Sequence, residues 1–227
     1  MQTLTVIVPA FNEEKTLKQS LSRLTSQSYI TQIIIINDGS TDDTDQIIID
    51  FKNLDSRIEV LSNHFNKGKG YSLNVARSFV SSDYVVIHDA DLEYDPKDLE
   101  EMYKLADGNK LIIGSRFIGN KKRNNLYRRT MIANKIMSIF FSIVHQVKVS
   151  DIATCYKMMP SKFFKNTTFV EHGFSIEIEM VAKFFKTSRQ IVEVPISYNG
   201  RSYADGKKIK TSDGFFYLFN TLKYRFY

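Results

Sequence analysis

Three acids at alternate positions are the strongest candidates for chemistry in this sequence. They are Asp89, Asp91 and Glu93, and they come just after the apolar run Tyr84–Ile87, which predicts a buried strand. Open α/β sheets bind ligands just past the carboxyl ends of their strands. Crowded carboxylates repel one another unless a cation lies among them, and hard oxygen ligands suit Mg2+ or Mn2+ when a substrate phosphate completes the shell. The alternative is a solvated acidic turn before a helix that starts at Asp95–Pro96.

Two further segments carry groups suited to a nucleotide. Asp38 follows the apolar run Gln32–Asn37, so it either accepts hydrogen bonds from a base or ribose or closes an Asx-turn. The segment Asn66–Gly70 places two lysines and two glycines ahead of a helix predicted from Tyr71. Such a segment is either a cationic approach to a phosphate or a solvated basic turn. Its spacing is not that of a Walker loop.

The elements that must position these groups alternate along the chain. Apolar runs predict strands over 4–9, 32–37, 57–61, 84–87, 110–114 and 191–196, and helical spacing predicts helices between the first five of them. Asn12 is the predicted N-cap of the first helix, which carries Leu17, Leu21 and Leu24 on one face. This alternation predicts an α/β fold with a mostly parallel sheet flanked by helices.

Composition limits the class of protein. The 227 residues are 43% hydrophobic, which is enough for a full core, and the formal net charge is +6. That charge fits a phosphate-bearing substrate or an anionic lipid, and no nucleic-acid partner is expected. The single cysteine, Cys155, fits a reducing compartment, and no apolar run reaches the length of a membrane span. With no basic leader before the first strand, we expect a cytoplasmic protein.

The second half of the chain is basic and amphipathic. The tract Arg116–Ser150 has eight basic residues and no acid, and residues 213–227 hold seven aromatic side chains. A long helix is predicted from about Asn125. Its apolar stripe comprises Ile132, Ile136, Ile139, Phe140, Ile143 and Val147. This stripe either packs into the core or lies against a membrane surface, and the aromatic tail leaves the same two alternatives.

The order of the motifs resembles the family 2 glycosyltransferases of GT-A fold. The segments that carry the resemblance are Val-Pro-Ala-Phe-Asn-Glu-Glu, Asn-Asp-Gly-Ser-Thr-Asp, Asn-Lys-Gly-Lys-Gly and Asp-Ala-Asp-Leu-Glu. Gly-Ser-Arg-Phe, Asp151-x-x-Thr-Cys-Tyr-Lys, Glu-Val-Pro-Ile and Arg-Ser-Tyr-x-x-Gly-Lys-Lys are similar to the branch of dolichyl- and polyprenyl-phosphate hexose synthases. The resemblance covers nearly the whole chain. It implies one domain over 1–227, with a donor half (1–115) and an acceptor half (116–227) that ends in an amphipathic helix.

The resemblance also implies roles for individual residues. The nucleoside pocket would be lined by Pro9, Phe11, Glu13 and Asp38, and Lys69 would reach the donor. The metal would be held by Asp89 and Asp91, which flank Ala90, with Glu93 completing the shell. The donor diphosphate and the acceptor phosphate would be held by Arg116, Arg128 or Arg129, Arg201 and Lys207. Asp151 matches an acid that has been assigned as a candidate base in some relatives.

The resemblance implies an inverting, metal-dependent hexosyltransferase that uses Mg2+ or Mn2+ and a nucleotide-sugar donor. The expected acceptor is a polyprenyl or dolichyl phosphate, reached by weak peripheral contact with the inner face of a membrane. An anionic acceptor needs cations more than a base. If the acceptor is instead a hydroxyl of a glycan or glycolipid, a base becomes important, and Asp151 is the candidate. Two other classes are a nucleotide-sugar-binding protein without turnover and a phospho-acceptor signalling domain. The sequence leaves the sugar, the nucleotide and the oligomeric state open.

Overall fold

The computed structural model describes residues 2–125, 127–201 and 211–226. The strands are β1 (Leu4–Ala10), β2 (Gln32–Asn37), β3 (Ile58–Ser62), β4 (Tyr84–Ile87), β5 (Leu111–Ser115), β6 (Arg123–Asn124), β7 (Lys157–Pro160), β8 (Ile191–Pro195) and β9 (Tyr198–Asn199). The helices are α1 (Leu17–Thr25), α2 (Thr44–Leu54), α3 (Lys69–Ala76), α4 (Asp98–Lys104), α5 (Arg128–His145), α6 (Ser161–Asn166), α7 (Ile176–Thr187) and α8 (Thr211–Phe226).

Seven strands form one sheet in the order β3-β2-β1-β4-β7-β5-β8. The pairs β1–β2, β2–β3, β1–β4 and β5–β8 are parallel, so the predicted mostly parallel sheet is confirmed. β7 was not predicted, and it runs antiparallel to both β4 and β5. Strands β6 and β9 pair with each other in a separate two-stranded ribbon.

Helices cover both faces of the sheet because the central strands are apolar on both sides. On one face, side chains of α1, α2 and α4 pack with Val6, Ile33 and Val86. On the other face, α3, α6 and α7, together with one face each of α5 and α8, pack with Ile7 and Ile34. This double burial explains the continuous runs of β-branched residues in β1 and β2.

Two predicted helix starts are wrong. Asn12 does not cap α1: it has a φ of 51° and its side-chain oxygen accepts from the Thr41 N–H, while α1 begins at Leu17. Likewise α4 begins at Asp98, and the Asp95 carboxylate accepts from the N–H of Lys97. In both places the chain leaves the strand through a turn before it becomes helical. These turns place polar groups at the edge of the sheet where β1 and β4 end.

Most of the apolar stripe of helix α5 does not pack into the core. Ile132, Ile136, Ile139 and Ile143 are between 54% and 70% exposed. The buried residues of the helix are Asn134, Ser138, Phe141 and His145. Core packing is therefore excluded for these four isoleucines, and they form an apolar outer face.

Candidate active site

A cavity of about 310 Å³ opens where β1 and β4 end. Most of the predicted site residues line it: Pro9, Phe11, Glu13, Asp38, Lys69, Asp89, Ala90, Asp91, Glu93, Arg116 and Arg201. The cavity also reaches the inner faces of α5, α7 and α8 through Thr130, Asn134, Met137, Phe174, Glu177, Gly214 and Tyr217. The fold thus joins the predicted donor residues to the helices of the second half in one space.

Asp91 is buried and pairs with Arg201. Its Oδ2 lies 2.5 Å from the Arg201 Nη2, and its Oδ1 accepts from the N–H of Glu93 at 2.9 Å. Burial, with the nearby charges of Glu93 and Asp89, raises the pKa of Asp91 to about 8, although Arg201 opposes this rise. The carboxylate therefore lies where a further cation would be stabilising.

Glu93 holds the segment that carries Arg201. Its carboxylate accepts from the hydroxyl of Tyr198 at 2.8 Å and from the backbone N–H of Arg201 at 2.9 Å. The Arg201 guanidinium also lies 3.4 Å from Glu13 Oε2. Arg201 is thus fixed above the acids by three carboxylates.

Lys69 lies between two carboxylates on the other side of the cavity. Its Nζ is 2.7 Å from Asp89 Oδ1 and 2.8 Å from Glu177 Oε1. Although burial opposes the effect, Asp89 and Glu177 hold the pKa of Lys69 well above its usual value. The other oxygen of Glu177 is 2.6 Å from the Nζ of the fully buried Lys157. Lys69 is therefore charged and held in one place at the wall of the cavity.

The loop that presents Lys69 requires glycine at two positions. Gly68 has a φ of 92°, and a Cβ there would lie 2.5 Å from the His172 carbonyl oxygen. A Cβ on Gly70 would lie 1.8 Å from the carbonyl oxygen of Glu171. Asp38 fixes the same loop, since its carboxylate accepts from the backbone N–H groups of Lys67 and Gly68. Asp38 thus borders the cavity while it supports the basic loop.

Asp151 is fully buried and holds Arg116. Its two oxygens accept from the Arg116 Nε at 2.7 Å and the Arg116 Nη2 at 2.8 Å, and Oδ2 also accepts from the Arg116 backbone N–H. Arg116 lines the cavity, whereas Asp151 does not. A base must reach the proton that it removes. Both oxygens of Asp151 thus contact Arg116, and its role as a base stays a prediction.

Two of the predicted cations do not line the cavity. Arg128 and Arg129 are exposed on the first turn of α5, and neither lines the cavity, although the next residue, Thr130, does. Lys207 lies outside the described residues. Of the predicted donor- and phosphate-binding cations, Lys69, Arg116 and Arg201 lie at the cavity wall, and their binding role stays a prediction.

The three acids predicted to bind metal do not converge as one ligand set. Across residues 2–125, 127–201 and 211–226, no three His, Cys, Asp or Glu side chains are arranged to hold a metal ion. Asp89 is paired with Lys69, and Glu93 with Tyr198 and Arg201. Asp91 is paired with Arg201, but its raised pKa marks it as the carboxylate at which a further cation would be stabilising. Mg2+ is commonly bound by one or two carboxylates with substrate phosphates, so these residues fit a metal that the donor helps to hold.

Sequence reasoning missed the contribution of α7. Glu177 lies on α7, and Lys157 lies in the strand β7 that was not predicted. Both are buried, and they meet only because β7 and α7 pack beside the end of β4. The signal in the sequence is the presence of two acids, Glu177 and Glu179, in the otherwise apolar segment Ile176–Val181.

Several curated proteins are similar to this chain. Glycosyltransferase AglJ of Haloferax volcanii is 26% identical over 198 residues, covering 86% of this chain and 63% of that protein. The undecaprenyl-phosphate 4-deoxy-4-formamido-L-arabinose transferase of Salmonella choleraesuis is 24% identical, covering 91% and 63%. The dolichyl-phosphate beta-glucosyltransferase ALG5A of Trichomonas vaginalis is 25% identical, covering 92% and 68%. The chain thus spans about two thirds of the length of these relatives.

Solved structures share the fold. Glucosyl-3-phosphoglycerate synthase from Mycobacterium tuberculosis, in complex with Mn2+, UDP-glucose and phosphoglyceric acid, has a TM-score of 0.74 at 18% identity. The match covers 99% of this chain and 79% of that one. The sheet and its flanking helices are therefore of the GT-A type.

The family assignment rests on the matched length. The family model described as "Glycosyl transferase family 2" matches residues 5–169, from β1 to the segment that precedes α7. This span contains the acids after β4, the basic glycine loop and Arg116. The chain belongs to glycosyl transferase family 2.

Proposed function

We propose that this protein transfers a hexose from a nucleotide sugar to a polyprenyl or dolichyl phosphate, with inversion and with a divalent metal. The observation that carries the proposal is the course of the cavity. It begins at the acids after β4 and continues to α5 and α8, whose outer faces are apolar. The names of two relatives, an undecaprenyl-phosphate and a dolichyl-phosphate transferase, support the same acceptor class.

The cations at the donor end of the cavity suit a nucleoside diphosphate as leaving group. Negative charge grows on the nucleoside diphosphate as the bond to the sugar breaks, and preorganised cations stabilise that charge. Lys69, Arg116 and Arg201 are held by buried carboxylates and need no rearrangement of long side chains to do so. Asp91 would hold Mg2+ or Mn2+, and the metal would further neutralise the leaving group. Pro9, Phe11, Glu13 and Ala90 form the wall on the nucleoside side.

An acceptor phosphate does not need a base at the acceptor end of the cavity. A phosphate monoester is already anionic, so its oxygen can attack the anomeric carbon while the diphosphate leaves, without a base to remove a proton. Asp151 is paired with Arg116 and does not line the cavity, which fits an acceptor of this kind. A hydroxyl acceptor would require a base, and the candidate base Asp151 is not among the residues that line the cavity.

The outer face of the second half of the chain exposes large apolar side chains. On α8, Phe216, Phe219 and Phe226 are between 60% and 82% exposed, and Leu222 is exposed as well. Large exposed apolar patches mark contact surfaces. Arg128 and Arg129 at the start of α5 and Arg225 at the end of α8 are exposed cations beside this apolar face. No described helix is long and apolar enough to span a bilayer. We propose peripheral contact with an anionic membrane through the outer faces of α5 and α8.

The halves expected from the sequence fit this proposal: 1–115 supplies most of the donor site and 116–227 the acceptor side. A transfer assay tests it. Labelled UDP- and GDP-sugars are supplied with Mg2+ or Mn2+, and polyprenyl phosphate or a hydroxyl-bearing glycolipid is offered as acceptor. We expect metal-dependent labelling of the lipid phosphate, abolished by a chelator. Labelling of the hydroxyl acceptor alone would contradict the acceptor class and leave the donor assignment standing.

A further inference from the structure

Four charges of alternating sign lead from the core to the cavity wall, and the two in the core are buried. They are Lys157, Glu177, Lys69 and Asp89, in that order, and successive members are 2.6, 2.8 and 2.7 Å apart. The side chain of Lys157 is fully buried and that of Glu177 is 3% exposed. Lys69 is the member whose ammonium can meet a ligand.

We propose that Glu177 is a positioning residue that fixes the Lys69 ammonium for the donor diphosphate. This inference rests on the proposed function, since it takes a nucleoside diphosphate as the ligand. Glu177 would not touch the reacting atoms. It would act by keeping Lys69 from turning fully onto Asp89.

The geometry of Lys69 supports this role. An ammonium group has three N–H donors; one is donated to Asp89, and the Glu177 carboxylate attracts the ammonium from a second side at 2.8 Å. Held from two directions, the ammonium keeps a donor for a phosphate oxygen. With Asp89 alone, the flexible side chain could rotate about that single contact. Glu177 also lines the cavity itself, so it lies at the border between the core and the ligand space.

The position of Glu177 oxygen Oε1 points the same way. It is buried and 2.8 Å from Lys69 Nζ, yet no described residue gives it an aligned hydrogen bond. Its contact with Lys69 is therefore electrostatic and sensitive to where that ammonium lies. By contrast, Oε2 receives a hydrogen bond from Lys157, which anchors the carboxylate in the core.

A purely structural role is the competing explanation. Lys157 is fully buried, and burial lowers its pKa, so an acid beside it stabilises the fold. In that account Glu177 serves Lys157 and not Lys69. The two accounts separate when both members of the core pair are removed together. The double variant Lys157→Met/Glu177→Met keeps the net charge and the approximate volumes, and it leaves no unpaired charge in the core.

The experiment measures binding of UDP and of GDP with MnCl2 by calorimetry, together with the melting temperature. We expect the double variant to melt near the wild type and to bind the preferred nucleotide about tenfold more weakly, which is the order of one charged hydrogen bond. Wild-type affinity in a folded double variant overturns the inference. Loss of the fold in the double variant is also contrary to it, because the pair is then needed for the core.

The single variant Glu177→Gln gives a second test through the sign of its effect. It removes a negative charge beside an anionic ligand, so net charge alone predicts tighter binding of the nucleotide, whereas loss of positioning predicts weaker binding. The matched control is Glu179→Gln, on the same helix and equally buried but paired with Lys183 outside the cavity. We expect the control to bind nucleotide like the wild type. If the wild type binds neither UDP nor GDP, the proposed function is contradicted. If the wild type binds nucleotide and the Glu177 variants bind it with the same affinity, only the role of Glu177 is wrong.

Discussion

Helices α1 and α5 carry apolar residues at the same spacing and turn them to opposite environments. Leu17, Leu21 and Leu24 of α1 are fully buried against the sheet. The isoleucines of α5 are more than half exposed, and its buried face carries Asn134, Ser138 and His145. Helical periodicity therefore shows that a helix has two faces, but not which of them meets the core.

The difference follows from what lies beneath each helix. α1 covers apolar strands. α5 borders the cavity through Thr130 and Asn134, and it packs on α8, where the His145 ring nitrogen Nε2 lies 3.0 Å from the carbonyl oxygen of Thr221. A helix that borders a polar cavity keeps polar groups inside, which leaves its apolar face outside. We infer that α1 builds the fold, whereas α5 joins the donor site to an external apolar phase.

The largest expected effect breaks the donor end without touching either helix. Asp91→Ala removes the carboxylate proposed to hold the metal, and we expect transfer to fall by about 10²–10³-fold or more, as for other lost electrostatic groups. Circular dichroism and vesicle binding should stay as in the wild type. The control Glu100→Gln changes an exposed acid paired with Lys104 on α4 and should leave turnover unchanged. A fully active Asp91→Ala protein rules out the metal role.

The second prediction compares the two helices by stability. Leu21→Ala should lower the free energy of unfolding by about 2–5 kcal/mol, because it opens a cavity under α1. Ile139→Ala should change it by less than about 0.5 kcal/mol, because that side chain is 60% exposed. Urea denaturation of both variants measures this directly. A large loss for Ile139→Ala would mean that the outer face of α5 is packed in the folded protein.

The third prediction breaks the outer face alone. Ile136→Glu/Ile139→Glu should reduce co-sedimentation with anionic vesicles about tenfold or more, since each buried isoleucine contributes about 1.5–3 kcal/mol. Binding should also fall as salt rises, by the screening of Arg128, Arg129 and Arg225. The control Gln19→Glu/Ser22→Glu adds the same charges at the same spacing on the exposed face of α1. If both variants lose the same amount of vesicle binding, the cause is the added negative charge and not the loss of the apolar face.

The smallest effect concerns pH. The pKa of Asp91 is raised to about 8 in the fold, so the folded protein holds a proton that the unfolded chain releases above its ordinary value near 3.8. Stability in the presence of a chelator should therefore fall as pH rises from 5 to 8. Asp91→Asn removes this dependence, and at pH 8 we expect it to melt roughly 2–4 °C above the wild type, the shift expected for about 1 kcal/mol. Parallel melting curves at every pH would contradict the raised pKa.

Much of the donor end was predictable from sequence because it follows local rules. Apolar β-branched runs located β1, β2 and β4, and the groups at their carboxyl ends had to meet at one edge of the sheet. The turns after β1 and β4 were mistaken for helix starts, because Asn12 and Asp95 satisfy backbone groups in turns as readily as in caps. The roles given to Asp89, Asp91 and Arg201 by the resemblance remain proposals, although all three lie at the cavity.

The rest depends on contacts between distant segments. β7 contains Lys157, Met158 and Met159, a sequence without a strand signal, and it becomes a strand because it fills the gap between β4 and β5. The pairing of Asp151 with Arg116 likewise needs two segments that are 35 residues apart. Sequence reasoning therefore assigned Asp151 as a candidate base without its contacts with Arg116, and the base role stays a prediction. The same holds for Glu177, whose partners lie on α3 and β7.

The most direct test of the account compares one acceptor in two phases. Transfer is measured to a polyprenyl phosphate in anionic vesicles and to a short, water-soluble prenyl phosphate, for the wild type and for Ile136→Glu/Ile139→Glu. If the outer faces of α5 and α8 bring the lipid to the cavity, kcat/KM falls about tenfold or more with the vesicle acceptor and stays unchanged with the soluble one. An equal loss with both acceptors, or no loss with either, would contradict the link between the apolar face and the transfer site.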